Sequence, residues 1–113
     1  MNKEEFPRRG DVYWVSLDPA IGSELQKTSP AIIVSNNAAN EISTRIIVAP
    51  ITSAITRIYP FETPVTIQGR KGKALLDQIR SLDKRRLTNK IASLDDSTME
   101  QVDIALKIAL ELR

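Results

Sequence analysis

The sequence predicts a small β-barrel completed by one C-terminal helix, and two observations support this fold class. Short runs of β-branched and apolar residues recur at close spacing, separated by turn-forming Gly, Pro, Asn and Asp. Near the end of the chain, the apolar residues change to helical spacing. A length of 113 residues fits one domain. We therefore expect a single domain over residues 1–113, with residues 1–9 forming a flexible N-terminal arm.

Six strands are predicted, each from its own composition and turn signals. The first follows Gly10 and contains Tyr13 and Trp14, which we assign to core packing. The second is apolar enough to be buried on both faces. The third contains Pro50, which cannot donate to a ladder, so we expect an edge or a bulge there. The predicted strands are residues 12–17, 30–35, 46–52, 64–67, 73–82 and 87–94.

The connections and the terminal helix complete the predicted topology. The polar stretch 22–30 is predicted to be a long exposed loop, and residues 36–40 interrupt the chain after the second strand. Ser97 with Glu100 fits a capping box at the start of the helix. The apolar residues of that helix cover more than one stripe, so it either packs on the sheet or adds a contact between subunits.

Composition excludes several kinds of chemistry. Without Cys, the chain has no disulfide, no thiolate nucleophile and no zinc–thiolate site. Without His, it has no Ser-His-Asp triad and no imidazole metal ligand, so any catalysis must use carboxylates, hydroxyls, Lys, Arg or backbone groups. No apolar run approaches the roughly 18 residues that a membrane span needs. The charged N-terminus lacks the apolar core of a secretory signal, so we expect a cytoplasmic protein with no membrane partner.

Charge is concentrated in one block of a nearly neutral chain. The formal net charge is only +2, yet residues 69–90 contain eight basic and two acidic residues. Such a block is typical either of a phosphate-binding surface or of an ordinary solvated turn region. Residues 70–73 are predicted to form a hairpin tip between glycines, and residues 84–86 a single helical turn.

Five segments, taken in order, resemble the MazF/PemK toxins. They are residues 10–14, 22–24, 30–36, 47–53 and 77–87, and the similarity extends over residues 8–112. The resemblance implies an SH3-like barrel with a C-terminal helix, acting as a homodimer. It also implies a sequence-specific endoribonuclease toxin, with single-stranded RNA in a groove across the dimer interface and a cognate antitoxin that covers this groove. Cleavage in this family needs no metal and leaves a 2′,3′-cyclic phosphate and a 5′-hydroxyl. No metal or other cofactor is expected, as this resemblance implies.

That reaction suits a chain without histidine, because the 2′-hydroxyl of RNA is itself the nucleophile. The protein must position the sugar, help to remove a proton and stabilise charge on the phosphorane. The family's catalytic Thr matches Thr52, which would donate a hydrogen bond to the scissile phosphate. Glu24 is a candidate base or orienting group, with a solvated loop carboxylate as the equal alternative. The resemblance also suggests RNA-binding residues: Ser23, Lys27, Arg70, Lys71, Gln78 and Arg80.

The chain departs from the family at one catalytic position. The family has an Arg directly before the proline of the second strand, and this chain has Ser29 there. Losing such a cation typically costs about 100- to 1000-fold in rate. Three explanations stay open: an inactivated variant, which we favour, a naturally degenerate member, or compensation by Lys27 or Arg80.

Two other functions compete with the ribonuclease. A non-catalytic protein of the same toxin fold would bind an antitoxin or another target, as the CcdB toxins bind DNA gyrase. A small SH3-like barrel could also be a general interaction module. The chain has only five aromatic residues, which argues against an aromatic peptide groove or an extended base-stacking platform.

Overall fold

The computed structural model describes residues 6–16 and 28–113. Within this part the chain forms seven strands, two helices and two short 3-10 turns. The strands are β1 (Asp11–Ser16), β2 (Thr28–Ile33), β3 (Arg45–Thr52), β4 (Glu62–Ile67), β5 (Arg70–Leu75), β6 (Arg80–Asp83) and β7 (Leu87–Ser93). The helices are α1 (Asn37–Ile42) and α2 (Asp96–Leu110). Three expected site residues, Ser23, Glu24 and Lys27, lie outside the described residues, as does most of the predicted loop 22–30.

The strands form one curled antiparallel sheet in the order β4-β5-β3-β2-β1-β7. Along one edge, β3 pairs first with β6 and then, from Ile51, with β5. Pro50 lies at this change of partner, where a residue without an N–H costs the ladder least. The expected edge position is therefore wrong, because β3 is paired on both sides. The predicted class, a mainly β small barrel with a C-terminal helix, is confirmed, and the observed barrel is a curled antiparallel sheet, or half-barrel.

Two apolar clusters lie on opposite faces of the sheet. On one face, Ile32 of β2 belongs to a buried cluster that includes Val102 and Ala105 of α2. On the other face, Ala31 and Ile33 of β2 belong to a second buried cluster. The prediction that the second strand is buried on both faces is confirmed.

The predicted fifth strand, residues 73–82, is wrong. The chain leaves β5 at Leu75, passes through the 3-10 turn Leu76–Gln78, and enters β6 at Arg80. Leu76 is completely buried in the cluster beneath α2, and this turn carries its side chain into the core. The break lets β5 and β6 pair with successive parts of one edge of β3.

Both helices begin differently from expectation. Asp95, not Ser97, caps α2, because its carboxylate accepts a hydrogen bond from the Thr98 amide at 2.8 Å. Residues 36–40 do more than interrupt the chain, since Asn36 caps the short helix α1. One face of α2 packs on the sheet, while Ile104 and Ile108 stay 51% and 48% exposed. The subunit contact on α2 stays a prediction.

Residues 8 and 9, predicted to belong to an arm, are held against the domain. The Arg9 guanidinium donates to the Val34 carbonyl at 2.9 Å and forms an ion pair with Asp103 of α2. The Arg8 amide donates to the Asp11 carboxylate. None of the helices in residues 6–16 and 28–113 is long and apolar enough to cross a membrane.

Candidate active site

A groove of about 740 Å³ opens beside the ends of β3 and the β4–β5 hairpin. Its lining combines apolar side chains with hydroxyl, amide and cationic side chains. The lining residues are Trp14, Pro30, Ile51, Thr52, Ser53, Ile67, Gln68, Arg70, Lys71, Gly72 and Ile91. Three residues expected from the sequence, Thr52, Arg70 and Lys71, are therefore brought to one groove.

The register of the sheet relates Ser29 to Thr52. The last bonded pair between β2 and β3 is Ala31 with Pro50. Ser29 and Thr52 each lie two residues beyond this last bonded pair, on adjacent strands. The same register, continued past the end of the ladder, would bring the two positions opposite each other.

Thr52 ends β3 at the edge of the groove and is half-buried. Its hydroxyl oxygen accepts a hydrogen bond from the Ala54 amide at 3.2 Å, which orients the side chain at the start of the following loop. A hydroxyl has one proton to donate as well as lone pairs to accept. The Thr52 hydroxyl can therefore donate to an anion in the groove.

Gly72 allows β5 to approach Thr52 closely. A Cβ atom at position 72 would lie 2.9 Å from the Thr52 carbonyl oxygen and 3.2 Å from Cγ2 of Ile51. The first of these contacts is with backbone, which cannot rotate away. Glycine at position 72 therefore fixes the distance between the end of β3 and the groove wall formed by β5.

A buried ion pair fastens the loop of residues 53–61 to β5. Lys73 is paired with Thr52 in the β3–β5 register, and its ammonium donates to the Arg57 carbonyl at 2.7 Å and to Glu62 Oε1 at 2.8 Å. The Lys73 and Glu62 side chains are only 11% and 7% exposed. Glu62 also accepts from the Tyr59 amide at 2.9 Å. These hydrogen bonds lower the pKa of Glu62 below its ordinary value, and the bond from Lys73 has the largest effect.

The hairpin tip lies two residues earlier than predicted. Gln68 and Gly69 both have positive φ, at 51° and 79°, and form the two-residue loop between Ile67 and Arg70. The Gln68 side-chain amide donates to the Ile91 carbonyl at 3.2 Å, which ties the hairpin to β7. Arg70 follows this tip, and both Arg70 and Lys71 line the groove. Cations at this place suit contacts with the phosphates of a nucleic-acid backbone.

Gln78 and Arg80 are exposed but do not line this groove. Arg80 is opposite Val48 in the β3–β6 ladder, four residues before Thr52, or about 13 Å along a strand. The sequence predicts both residues to bind RNA, but the structure does not place either of them beside Thr52.

The helical turn predicted at residues 84–86 is confirmed, as a 3-10 turn capped by Asp83. The Arg85 side chain and amide donate to Asp83, and these bonds lower the pKa of that carboxyl. Arg85 is 90% exposed in its side chain, so this pair belongs to the solvated surface. The residues lining the groove do not include this turn.

The expected core packing of Trp14 is wrong. Val12 and Val15 of the same strand are fully buried, but Trp14 is 40% exposed and lines the groove. The β1–β7 register shifts between Tyr13 and Val15, so Trp14 has no partner residue in β7. The extra residues of this irregularity lie on β7, whereas β1 is regular and pairs Trp14 with Pro30 of β2. The sequence of β1 alone does not show that the neighbouring elements leave this side chain uncovered.

No group of three or more acidic side chains is placed to hold a metal ion anywhere in residues 6–16 and 28–113. The candidate site is thus a set of hydroxyl, amide and cationic groups beside an exposed indole. Neutral donors and cations of this kind suit a polyanionic ligand.

Comparison with known proteins places this site in a family. Residues 8–110 match the model of the PemK-like, MazF-like toxins of type II toxin–antitoxin systems. The chain is 41% identical to endoribonuclease EndoA of Bacillus subtilis over an alignment of 111 positions, which covers 93% of this chain and 95% of that protein. It is also 41% identical to endoribonuclease MazF9 of Mycobacterium tuberculosis over an alignment of 114 positions, which covers 93% of this chain and 97% of that one.

A solved structure agrees with the sequence relatives. A mycobacterial endoribonuclease in complex with its cognate antitoxin superposes with a TM-score of 0.80 at 29% identity, covering 95% of this chain and 97% of the other. The resemblance that the five sequence segments indicate is therefore confirmed. The chain belongs to the family of PemK-like, MazF-like toxins of type II toxin–antitoxin systems.

Proposed function

We propose that the chain is an endoribonuclease toxin whose reaction centre is the Thr52–Ser29 pair of positions. One observation carries the proposal: Thr52 lines the same groove as Arg70 and Lys71. The β2–β3 register, continued past its last bonded pair, would bring Ser29 opposite Thr52. The endoribonuclease names of the relatives at 41% identity support the same reaction.

The proposed reaction needs no nucleophile from the protein. The 2′-oxygen of the ribose loses its proton and bonds to the adjacent phosphorus. The bond from phosphorus to the 5′-oxygen breaks, and that oxygen takes up a proton. Thr52 donates to a non-bridging phosphate oxygen, where negative charge grows in the transition state. Arg70 and Lys71 hold neighbouring phosphates and position the strand. The role of Glu24 as base stays a prediction.

Ser29 leaves this centre without the family's cation. Its hydroxyl is half-buried in β2 and cannot supply a fixed positive charge. We infer that the chain is a weakened or inactivated ribonuclease, about 100- to 1000-fold slower than a form with Arg at this position. Compensation by Arg80 is disfavoured by its distance along β3 from Thr52. Compensation by Lys27 stays a prediction.

The proposed partners are single-stranded mRNA, a cognate antitoxin and a second copy of the chain. Antitoxin binding is supported by the mycobacterial complex and by a MazE–MazF complex from Deinococcus radiodurans, 26% identical with a TM-score of 0.76. The exposed Ile104 and Ile108 of α2 offer apolar surface that a second subunit would cover. A toxin that acts on mRNA would work in the cytoplasm, and we propose this location.

The test compares the protein with its Ser29→Arg variant on a long single-stranded RNA in EDTA, with the cut ends mapped. We expect the variant to cut at one short sequence motif and to leave 5′-hydroxyl ends, with little or no cutting by the parent. Equal cutting by both would show that Ser29 is tolerated. If neither cuts although both are folded, the ribonuclease proposal fails and a binding-only toxin fold, such as a gyrase poison, replaces it.

A further inference from the structure

We propose that Trp14 forms the stacking platform of a single-nucleobase subsite within the groove. This inference rests on the proposed function, because it names how the same groove holds one base of its single-stranded RNA. The remaining aromatic residues lie elsewhere, and the groove residues include no other aromatic ring. One exposed indole is sufficient to stack one base.

The indole is exposed where folding alone would favour burial. Trp14 is the only Trp of the chain and is 40% exposed, although its neighbours Val12 and Val15 are fully buried. Trp14 has no paired residue in β7, and it lines the groove. Pro30, directly opposite Trp14 in the β1–β2 register, and Ile91 extend this apolar surface. Such a flat apolar area suits the face of a base.

The charges around this surface are those that a nucleotide requires. Arg70 and Lys71 line the same groove, and both are exposed. The phosphate of a nucleotide whose base stacks on Trp14 would thus lie near these cations, which attract it. Thr52, at the same groove, marks where the proposed scissile phosphate lies. Platform, cations and hydroxyl therefore line one groove.

Gln68 adds a polar contact at the edge of the subsite. Its side-chain nitrogen donates to the Ile91 carbonyl at 3.2 Å, and this donor–acceptor match fixes which end of the amide is which. The amide oxygen is left as an acceptor for an N–H or amino group on the edge of a base. Stacking on Trp14 supplies affinity, and this amide orients the base.

The experiment uses the fluorescence of Trp14, the only Trp, as a direct readout. The protein is titrated with a short single-stranded RNA that is 2′-O-methylated throughout, so that it binds but cannot be cut. A matched oligonucleotide of the same length with abasic sugars presents the phosphates alone. We expect the base-containing RNA to quench the indole and the abasic probe to leave it unquenched at the same occupancy. Equal quenching by both, or none by either, would overturn the proposal.

Variants separate stacking from folding. Trp14→Phe retains a ring and should keep the affinity within about threefold, whereas Trp14→Leu should weaken binding about 5- to 150-fold, as the loss of one stacked base predicts. Tyr59→Leu removes another exposed aromatic that does not line the groove, and should leave affinity and quenching unchanged. An equal loss in Tyr59→Leu and Trp14→Leu would contradict a specific subsite.

The two proposals fail in different ways. If the methylated RNA quenches Trp14 but the Ser29→Arg variant does not cut ordinary RNA, the base-subsite proposal stands and the ribonuclease proposal fails. If the Ser29→Arg variant cuts RNA but Trp14 is not quenched, the ribonuclease proposal stands and the base-subsite proposal fails. Melting curves of each variant identify any loss of binding that comes from unfolding.

Discussion

The ion pair between Lys73 and Glu62 should be a large single contributor to the stability of the site. Its two side chains are 11% and 7% exposed, and the Lys73 ammonium bridges Glu62 and the Arg57 carbonyl. Lys73→Met keeps the aliphatic stem but leaves the Glu62 carboxylate buried with only the Tyr59 amide. Removing one partner of a buried pair costs about 3–5 kcal/mol.

We expect the lower end of that range, about 3 kcal/mol, because the exposed loop of residues 53–61 lets water reach Glu62 once the pair is broken. At about 4 °C per kcal/mol, the midpoint of thermal unfolding should fall by about 12 °C. The double variant Lys73→Met with Glu62→Gln removes both charges and should recover a large part of this loss.

The assay is urea and thermal denaturation of the two single variants and the double variant. The matched control is Arg85→Met, which breaks a pair whose side chains are 90% and 30% exposed and should cause no measurable change. If Lys73→Met destabilises no more than Arg85→Met, or if the double variant is as unstable as Lys73→Met alone, the reasoning is refuted.

Three further predictions concern Gly72, the cap of α2 and the pKa of Glu62. Gly72→Ala, measured by denaturation and RNA binding, should cost about 1–3 kcal/mol and weaken binding, because its Cβ would meet the Thr52 carbonyl at 2.9 Å; unchanged stability would show that β5 can shift. Asp95→Ala should lower the melting temperature while Ser97→Ala does not, because only Asp95 caps the Thr98 amide; equal melting temperatures for the two would contradict this cap. The pKa of Glu62 is lowered in the folded protein. Its ionised carboxylate therefore makes its full contribution to the free energy of unfolding above the ordinary glutamate pKa, and this contribution is lost as the pH falls through the lowered pKa. Denaturation measured across acidic pH should therefore show a loss of stability that Glu62→Gln reduces, and an identical pH dependence in this variant would refute the linkage.

Local composition was sufficient for the elements with a single dominant signal. The second strand is apolar at every core position, so its burial on both faces could be predicted from its residues alone. The 84–86 turn could be predicted because Asp83 is a good cap before three residues with long side chains. The Thr52 and Ser29 positions could be named because the sequence segments around them resemble one family.

Features set by pairing between distant segments could not be predicted. Trp14 belongs to a strand with buried neighbours, yet it is exposed because the elements around it leave it uncovered at the groove. Lys73 was counted in a basic block, yet its partner Glu62 lies on the neighbouring strand β4, and pairing places the two side chains together. The break between β5 and β6 depends on Leu76 finding space beneath α2, which is a property of the packed core.

The central claim is that positions 29 and 52 form one reaction centre, and the cleavage rates of a variant pair test it most directly. Ser29→Arg and Ser29→Arg with Thr52→Val are compared with the parent on the same single-stranded RNA in EDTA, after circular dichroism shows equal folding. The account predicts that Ser29→Arg cuts at least about 100-fold faster than the parent and that adding Thr52→Val removes most of this gain. A folded Ser29→Arg protein that cuts no faster than the parent, or a Thr52→Val change that leaves its rate intact, would contradict the account.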